Sequence, residues 1–203
     1  MKTYPPGTVR ALLDSDMVTP QTREALRARL SADESYDEPS FLDVDLFLTL
    51  RAACARLIPQ PESAKPIDCA SAIDKRLANG EGDGWRYDAL PADGETFRRG
   101  LRGLDEAARA KFSFSFHQLD DARQDELLLA VQRGDVKGGV WETLSANLFF
   151  EELLAAATEI YYSHPLAQEL IGYAGMADAH GWQAIGLDQL EAWEPRASED
   201  TSD

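Results

Sequence analysis

Apolar residues return at three- and four-residue intervals along most of this chain, the periodicity of helices with one buried face. The pattern is strongest from Ser40, where Phe41, Val44, Phe47, Leu48, Cys54, Leu57 and Ile58 keep the spacing until Pro59 and Pro61 end it. Asp68 then caps a shorter helix with Ala70, Ile73 and Leu77 on one face, which Asn79-Gly80 stops. Asp93 opens the next, with Phe97, Leu101 and Leu104 in phase and Asp105 placed to restart it toward Ala108 and Phe112. Asp120 or Asp121 caps a helix lined by Leu127, Leu128 and Val131, with Gly134 at its C-terminal cap. The longest helix is predicted over Val140 to Tyr161, with Phe149, Phe150, Leu153, Ala157 and Ile160 on its apolar face and Glu151, Glu152 and Glu159 largely opposite. These elements predict an all-α fold, an irregular helical bundle joined by long loops rich in glycine and aromatic residues.

Two stretches break the period. Phe112, Phe114 and Phe116 alternate with serines, but the run is short and has no second strand to pair with. It reads as an extended connector burying three phenylalanines. The other stretch runs from Tyr161-Tyr162-Ser163-His164-Pro165 through Ile171-Gly172-Tyr173-Ala174-Gly175 to Gly181-Trp182. Proline disfavours helix at the residue before it and glycine admits angles other residues avoid, so this is a shaped loop. Its Tyr161, Tyr162, Tyr173 and Trp182 need an apolar surface, which is either the chain's own core, as for a lid, or another protein.

At the N-terminus, Val9, Leu12 and Leu13 form a short pattern, and Thr19-Pro20 starts a helix with Ala25, Leu26 and Leu30. The polar segment Ser31 to Pro39 follows. Residues 1–39 are therefore expected to be an arm and linker, 40–190 the helical domain, and 191–203 an acidic disordered tail. The arm and tail should be trimmed first by proteases.

A formal net charge of −16 over 203 residues argues against nucleic acid or an anionic membrane as partner, because both would be repelled. No apolar run approaches the ~18 residues that span a bilayer, and no apolar leader opens the sequence, so the chain is expected to be cytoplasmic as written. Cys54 and Cys69 are too few for a disulfide scaffold and lack metal-binding spacing; Cys54 reads as a core thiol, and a bridge to Cys69 stays open. Gly80-Glu81-Gly82-Asp83-Gly84 lacks the preceding strand of a phosphate loop and reads as a helix stop anchored by Trp85 and Tyr87. The three histidines, His117, His164 and His180, form no helical pair, so a metal site from His164, His180 and Asp178 would have to be assembled by the loop. No nucleophile elbow or Cys/His constellation stands out.

Taken in order, Arg56-Leu57-Ile58-Pro59, the Asp68 to Leu77 helix, Leu101-x-x-Leu104-Asp105, Phe149-Phe150, Tyr161-Tyr162-Ser163-His164-Pro165 and Gly181-Trp182 resemble the gluconate 2-dehydrogenase subunit 3 family over roughly residues 41–187. The resemblance implies a helical accessory subunit with no catalytic, cofactor-binding or metal-binding residues of its own. Its partner would be a glucose-methanol-choline-type flavoprotein that carries FAD and oxidises a sugar, glycoside or polyol, with a cytochrome c as a further component. Tyr161, Tyr162, His164, Pro165, Tyr173, Gly181 and Trp182 would then be the partner-binding residues. Periplasmic members of the family commonly bear a twin-arginine signal on this subunit. Here Arg98-Arg99 is internal, so the resemblance implies export only alongside a signal-bearing partner. The other reading is a free-standing helical enzyme using the His164 to Trp182 loop as its site.

Overall fold

The computed structural model describes residues 4–31, 38–61, 66–82 and 89–198. Its regular structure is eight α-helices and two 3-10 turns, with no β-strand among the described residues. Two compact units are present: Ser35–Ile160, and a second made from both ends of the chain, Met1–Glu34 with Tyr161–Asp203.

The central unit holds α3 (Val44–Leu57), α4 (Cys69–Ala78), α5 (Asp93–Phe112), α6 (Asp121–Arg133) and most of α7 (Ala146–Tyr162). Aspartates start three of these helices: the side chains of Asp43, Asp68 and Asp120 accept the N–H groups of Leu46, Ser71 and Arg123. Each supplies an acceptor to an otherwise orphan donor and a negative charge at the positive end of the helix dipole. Gly134, at φ +70°, closes α6 as the sequence predicts. The core is built from Leu50 of α3, Ile73 of α4, Leu101 and Leu104 of α5, Val131 of α6 and Phe149 and Leu153 of α7. Cys54 and Cys69 are buried and not joined in a disulfide, and burial pushes the Cys54 thiol well up. Trp85 and Tyr87 lie outside the described residues.

Three local expectations are corrected. Asp105 does not restart a helix: α5 is continuous, and the Asp105 carboxylate instead accepts the N–H of Phe116 at 2.9 Å and an N–H of Arg109 at 2.7 Å. The phenylalanine run is not an extended connector with three buried rings. Phe112 ends α5, Ser113 turns the chain in the left-handed region at φ +65°, Phe114 is exposed, and Phe116 alone is fully buried, in the 3-10 turn Phe116–Gln118. The longest helix is α5, and α7 starts at Ala146 because Gly138 and Gly139, at φ +79° and +56°, set up a separate 3-10 turn, Gly139–Glu142.

The approach of α5 to α7 is close. A Cβ built on Gly100 would lie 2.1 Å from the ring of Phe149, which is buried edge-on against Phe97. Alanine is the better helix former by about 1 kcal/mol, yet Gly100→Ala is expected to destabilise the protein by about 1–3 kcal/mol through overpacking. Thermal unfolding checks the sign; a stabilised variant would mean that Phe149 has room to move.

The terminal unit holds α1 (Thr8–Leu13), α2 (Pro20–Ser31) and α8 (Pro165–Ile171). Its core joins Val9, Leu12, Leu13, Val18 and Leu26 to Ala174 and Met176, with Leu30 and Trp193 packed against it. The structure thus groups the first thirty residues with the C-terminal segment rather than leaving them as an arm. Six residues of α1 bury nothing alone, and their partners include Ala174 and Met176, far along the chain.

Candidate partner-docking surface

The end of α7 sets the geometry of the loop. Tyr161 and Tyr162 pair edge-on at 5.0 Å, but successive helical residues are about 100° apart. Tyr161 is accordingly buried and Tyr162 is 46% exposed. His164 follows in extended conformation, as a residue before proline should, and becomes the N-cap of α8. Its Nδ1 accepts the N–H of Leu166 at 3.2 Å, which leaves Nε2 to donate to the carbonyl of Arg29 at 3.2 Å. The Arg29 guanidinium in turn donates to the carbonyl of Ser163 at 2.8 Å. His164 and Pro165 are therefore buried joints between α8 and α2, not surface residues.

Gly172, at φ +66°, ends α8, and the Tyr4 ring sits where its Cβ would be, 2.3 Å away. Two carboxylates then tie the C-terminal segment to the N-terminal helices. Glu169, buried, accepts the N–H groups of Gly7 at 2.6 Å and Arg10 at 3.2 Å and pairs with the Arg10 guanidinium at 3.0 Å. Asp178 accepts the N–H and hydroxyl of Thr19 at 2.8 and 2.9 Å and the hydroxyl of Thr22 at 2.7 Å. The backbone N–H of Thr19 and the Thr22 hydroxyl bring its carboxyl down to about 2. His180 is exposed and lies 3.6 Å from Asp16. His164, Asp178 and His180 thus have separate partners, and among the described residues no three potential metal ligands gather.

Among the side chains that the segment leaves in solvent, several are large and apolar. Tyr173 is 51% exposed, and Leu170, Ile171 and Trp182 are exposed beside polar neighbours already bonded internally. Gly181 is exposed at φ +68°. Of the residues expected at the surface, Tyr162, Tyr173, Gly181 and Trp182 are there; Tyr161, His164 and Pro165 are not. Sequence reasoning missed Ile185, Leu187 and Leu190, also exposed. Their signal was large aliphatic residues spaced by Gly186, Asp188 and Gln189 in neither a helical nor a strand period.

Fold and surface together define an all-α protein whose C-terminal segment exposes several large apolar side chains. The chain belongs to the gluconate 2-dehydrogenase subunit 3 family, whose family model matches residues 45–187. The family is named for one subunit of a dehydrogenase complex. No curated protein and no solved structure matches the chain. Among the described residues no helix is long and apolar enough to cross a membrane.

Proposed function

We propose that this chain is a non-catalytic small subunit that binds and stabilises a flavin-dependent dehydrogenase of the glucose-methanol-choline type, acting on a sugar, glycoside or polyol. FAD belongs to that partner, and a cytochrome c takes the electrons onward. The observation that carries the reading is that Tyr162, Tyr173 and Trp182 are each left exposed in the C-terminal segment. Apolar area held in water by an ordered backbone gains about 25 cal/mol per Å² when a partner covers it, and Tyr and Trp are the residues most often energetic at such contacts.

The test is association of the full chain with the glucose-methanol-choline-type flavoprotein of the same organism. Trp182→Ala and Tyr162→Ala are each expected to weaken binding roughly thirtyfold, about 2 kcal/mol, while the free chain keeps its helical content. Variants that melt far below the parent would show instead that these rings support the fold. The isolated chain should also lack flavin absorbance near ~450 nm; a stoichiometric flavin spectrum from this chain alone would defeat the accessory role.

A further inference from the structure

Between Gly181 and Glu194 the chain leaves the core of the terminal unit and comes back to it as a closed loop. Trp193 packs on the core that includes Val9, Leu12 and Met176, and Trp182 meets it edge-on at 4.8 Å. The Glu191 carboxylate accepts the N–H groups of Gln183 and Ala184, the second at 2.7 Å, and the N–H of Glu191 donates to the Glu194 carboxylate at 2.5 Å. These contacts close the base. At the far end the N–H of Gln189 donates to the carbonyl of Gly186 at 3.2 Å, forming a four-residue turn with Leu187 and Asp188 at its centre. Asp188 lies at φ +57°, a left-handed value of the kind type II turns take at their third position and that Asp tolerates better than most residues.

The groups fixed at the tip are the wrong ones for a loop that faces water. Ile185 is 86% exposed and Leu187 is 94% exposed. The loop's charge is one-sided as well: residues 182–195 contain Asp188, Glu191 and Glu194 and no lysine or arginine, in a chain of net charge −16. Two aliphatic side chains projecting from a base held by hydrogen bonds and a tryptophan pair lose little freedom when they enter a pocket, the condition under which buried area becomes affinity. The surrounding carboxylates select a basic rim.

We propose that residues 182–193 form a preformed hook whose Ile185 and Leu187 enter an apolar pocket of the flavoprotein partner, with that partner's lysines and arginines around the pocket's rim. This rests on the accessory-subunit reading and adds where the contact is made and what surface receives it. Trp182, itself exposed, stands at the base of the hook against Trp193.

The experiment compares the full chain with its Ile185→Asp/Leu187→Asp variant, each titrated into the purified glucose-methanol-choline-type flavoprotein of the same organism. The double variant is expected to bind at least about thirtyfold more weakly, with the parent's circular dichroism and melting temperature. Raising salt to about 0.5 M should slow the parent's association. If the aspartates lower the melting temperature, Ile185→Ser/Leu187→Ser replaces them under the same criterion. Equal affinity of parent and variant overturns the hook and leaves the accessory role standing. No binding by the parent sinks that role and the hook with it. Parent protein that sediments with phosphatidylcholine vesicles, where the variant does not, overturns the hook in favour of a lipid-inserting tip.

Discussion

Replacing Asp74 by alanine is expected to lower the stability of the central unit by about 3 kcal/mol, the largest loss we anticipate from a single polar side chain. Asp74 is 2% exposed and lies on α4, and its carboxylate accepts the backbone N–H groups of Ser40, Phe41 and Leu42, the last at 2.8 Å. Those three donors precede α3 and have no helical acceptor. The carboxylate therefore fixes the entry to α3 and closes it against α4. Removing it strands donors at an estimated 1–3 kcal/mol each, moderated because a cleft lined by Ser40, Phe47, Ser71 and Lys75 admits water to the site. Asp74→Asn, which keeps one acceptor oxygen, should lose less. Denaturant unfolding of the two variants decides the matter: an alanine variant within about 0.5 kcal/mol of the parent would show that the three N–H groups find solvent without help.

The terminal unit should be acid-labile through Glu169 and Asp178. Burial alone would raise the Glu169 carboxyl, but the Arg10 guanidinium and the N–H groups of Gly7 and Arg10 outweigh it and bring it below its usual value. Asp178 falls to about 2. Both values are depressed on folding, so in acid the unfolded chain takes up these protons first, and stability rises with pH across that range. The contribution is fully present above the ordinary carboxylate values and is lost as pH falls from about 4.5 toward 2. Glu169→Gln is expected to cost about 2 kcal/mol at neutral pH, since a buried ion pair and two N–H acceptances are weakened together. Paired with Asp178→Asn it should flatten the acid limb of the stability curve, followed by the near-ultraviolet signal of the Trp182 and Trp193 pair. An acid limb as steep as the parent's would assign the lability to other carboxylates.

The parts of the fold legible in the sequence are those whose causes are local. Asp68, Asp120 and Gly134 were readable as caps because each acts within three or four residues of itself. The faces of α3, α4 and α6 followed from spacing. Asp105 and Asp74 were not readable, because nothing nearby says that a carboxylate will accept N–H groups eleven or more positions away. The same holds for α1 and α2, whose buried Val9 and Leu13 gain their surroundings from Ala174 and Met176. At the surface, the tyrosine pair was visible, but which ring faces solvent depends on the phase of α7, and a shift of one residue exchanges them. His164, expected among the partner-binding residues, caps α8 locally, but its second partner, the carbonyl of Arg29, is 135 positions earlier and has no local signal.

Building one unit from both ends of the chain has a consequence for biosynthesis. Gly7 and Glu169 are 162 positions apart, so at about 5–20 residues per second α1 waits roughly ten to thirty seconds on the ribosome before its acceptor is made. Until then Val9, Leu12 and Leu13 have no core neighbours beyond Val18 and those of α2, while the segment between can already pack its own core. The surface through Tyr162, Tyr173 and Trp182 belongs to the later-formed unit. A chain stalled before residue 161 would carry the central helices without that surface.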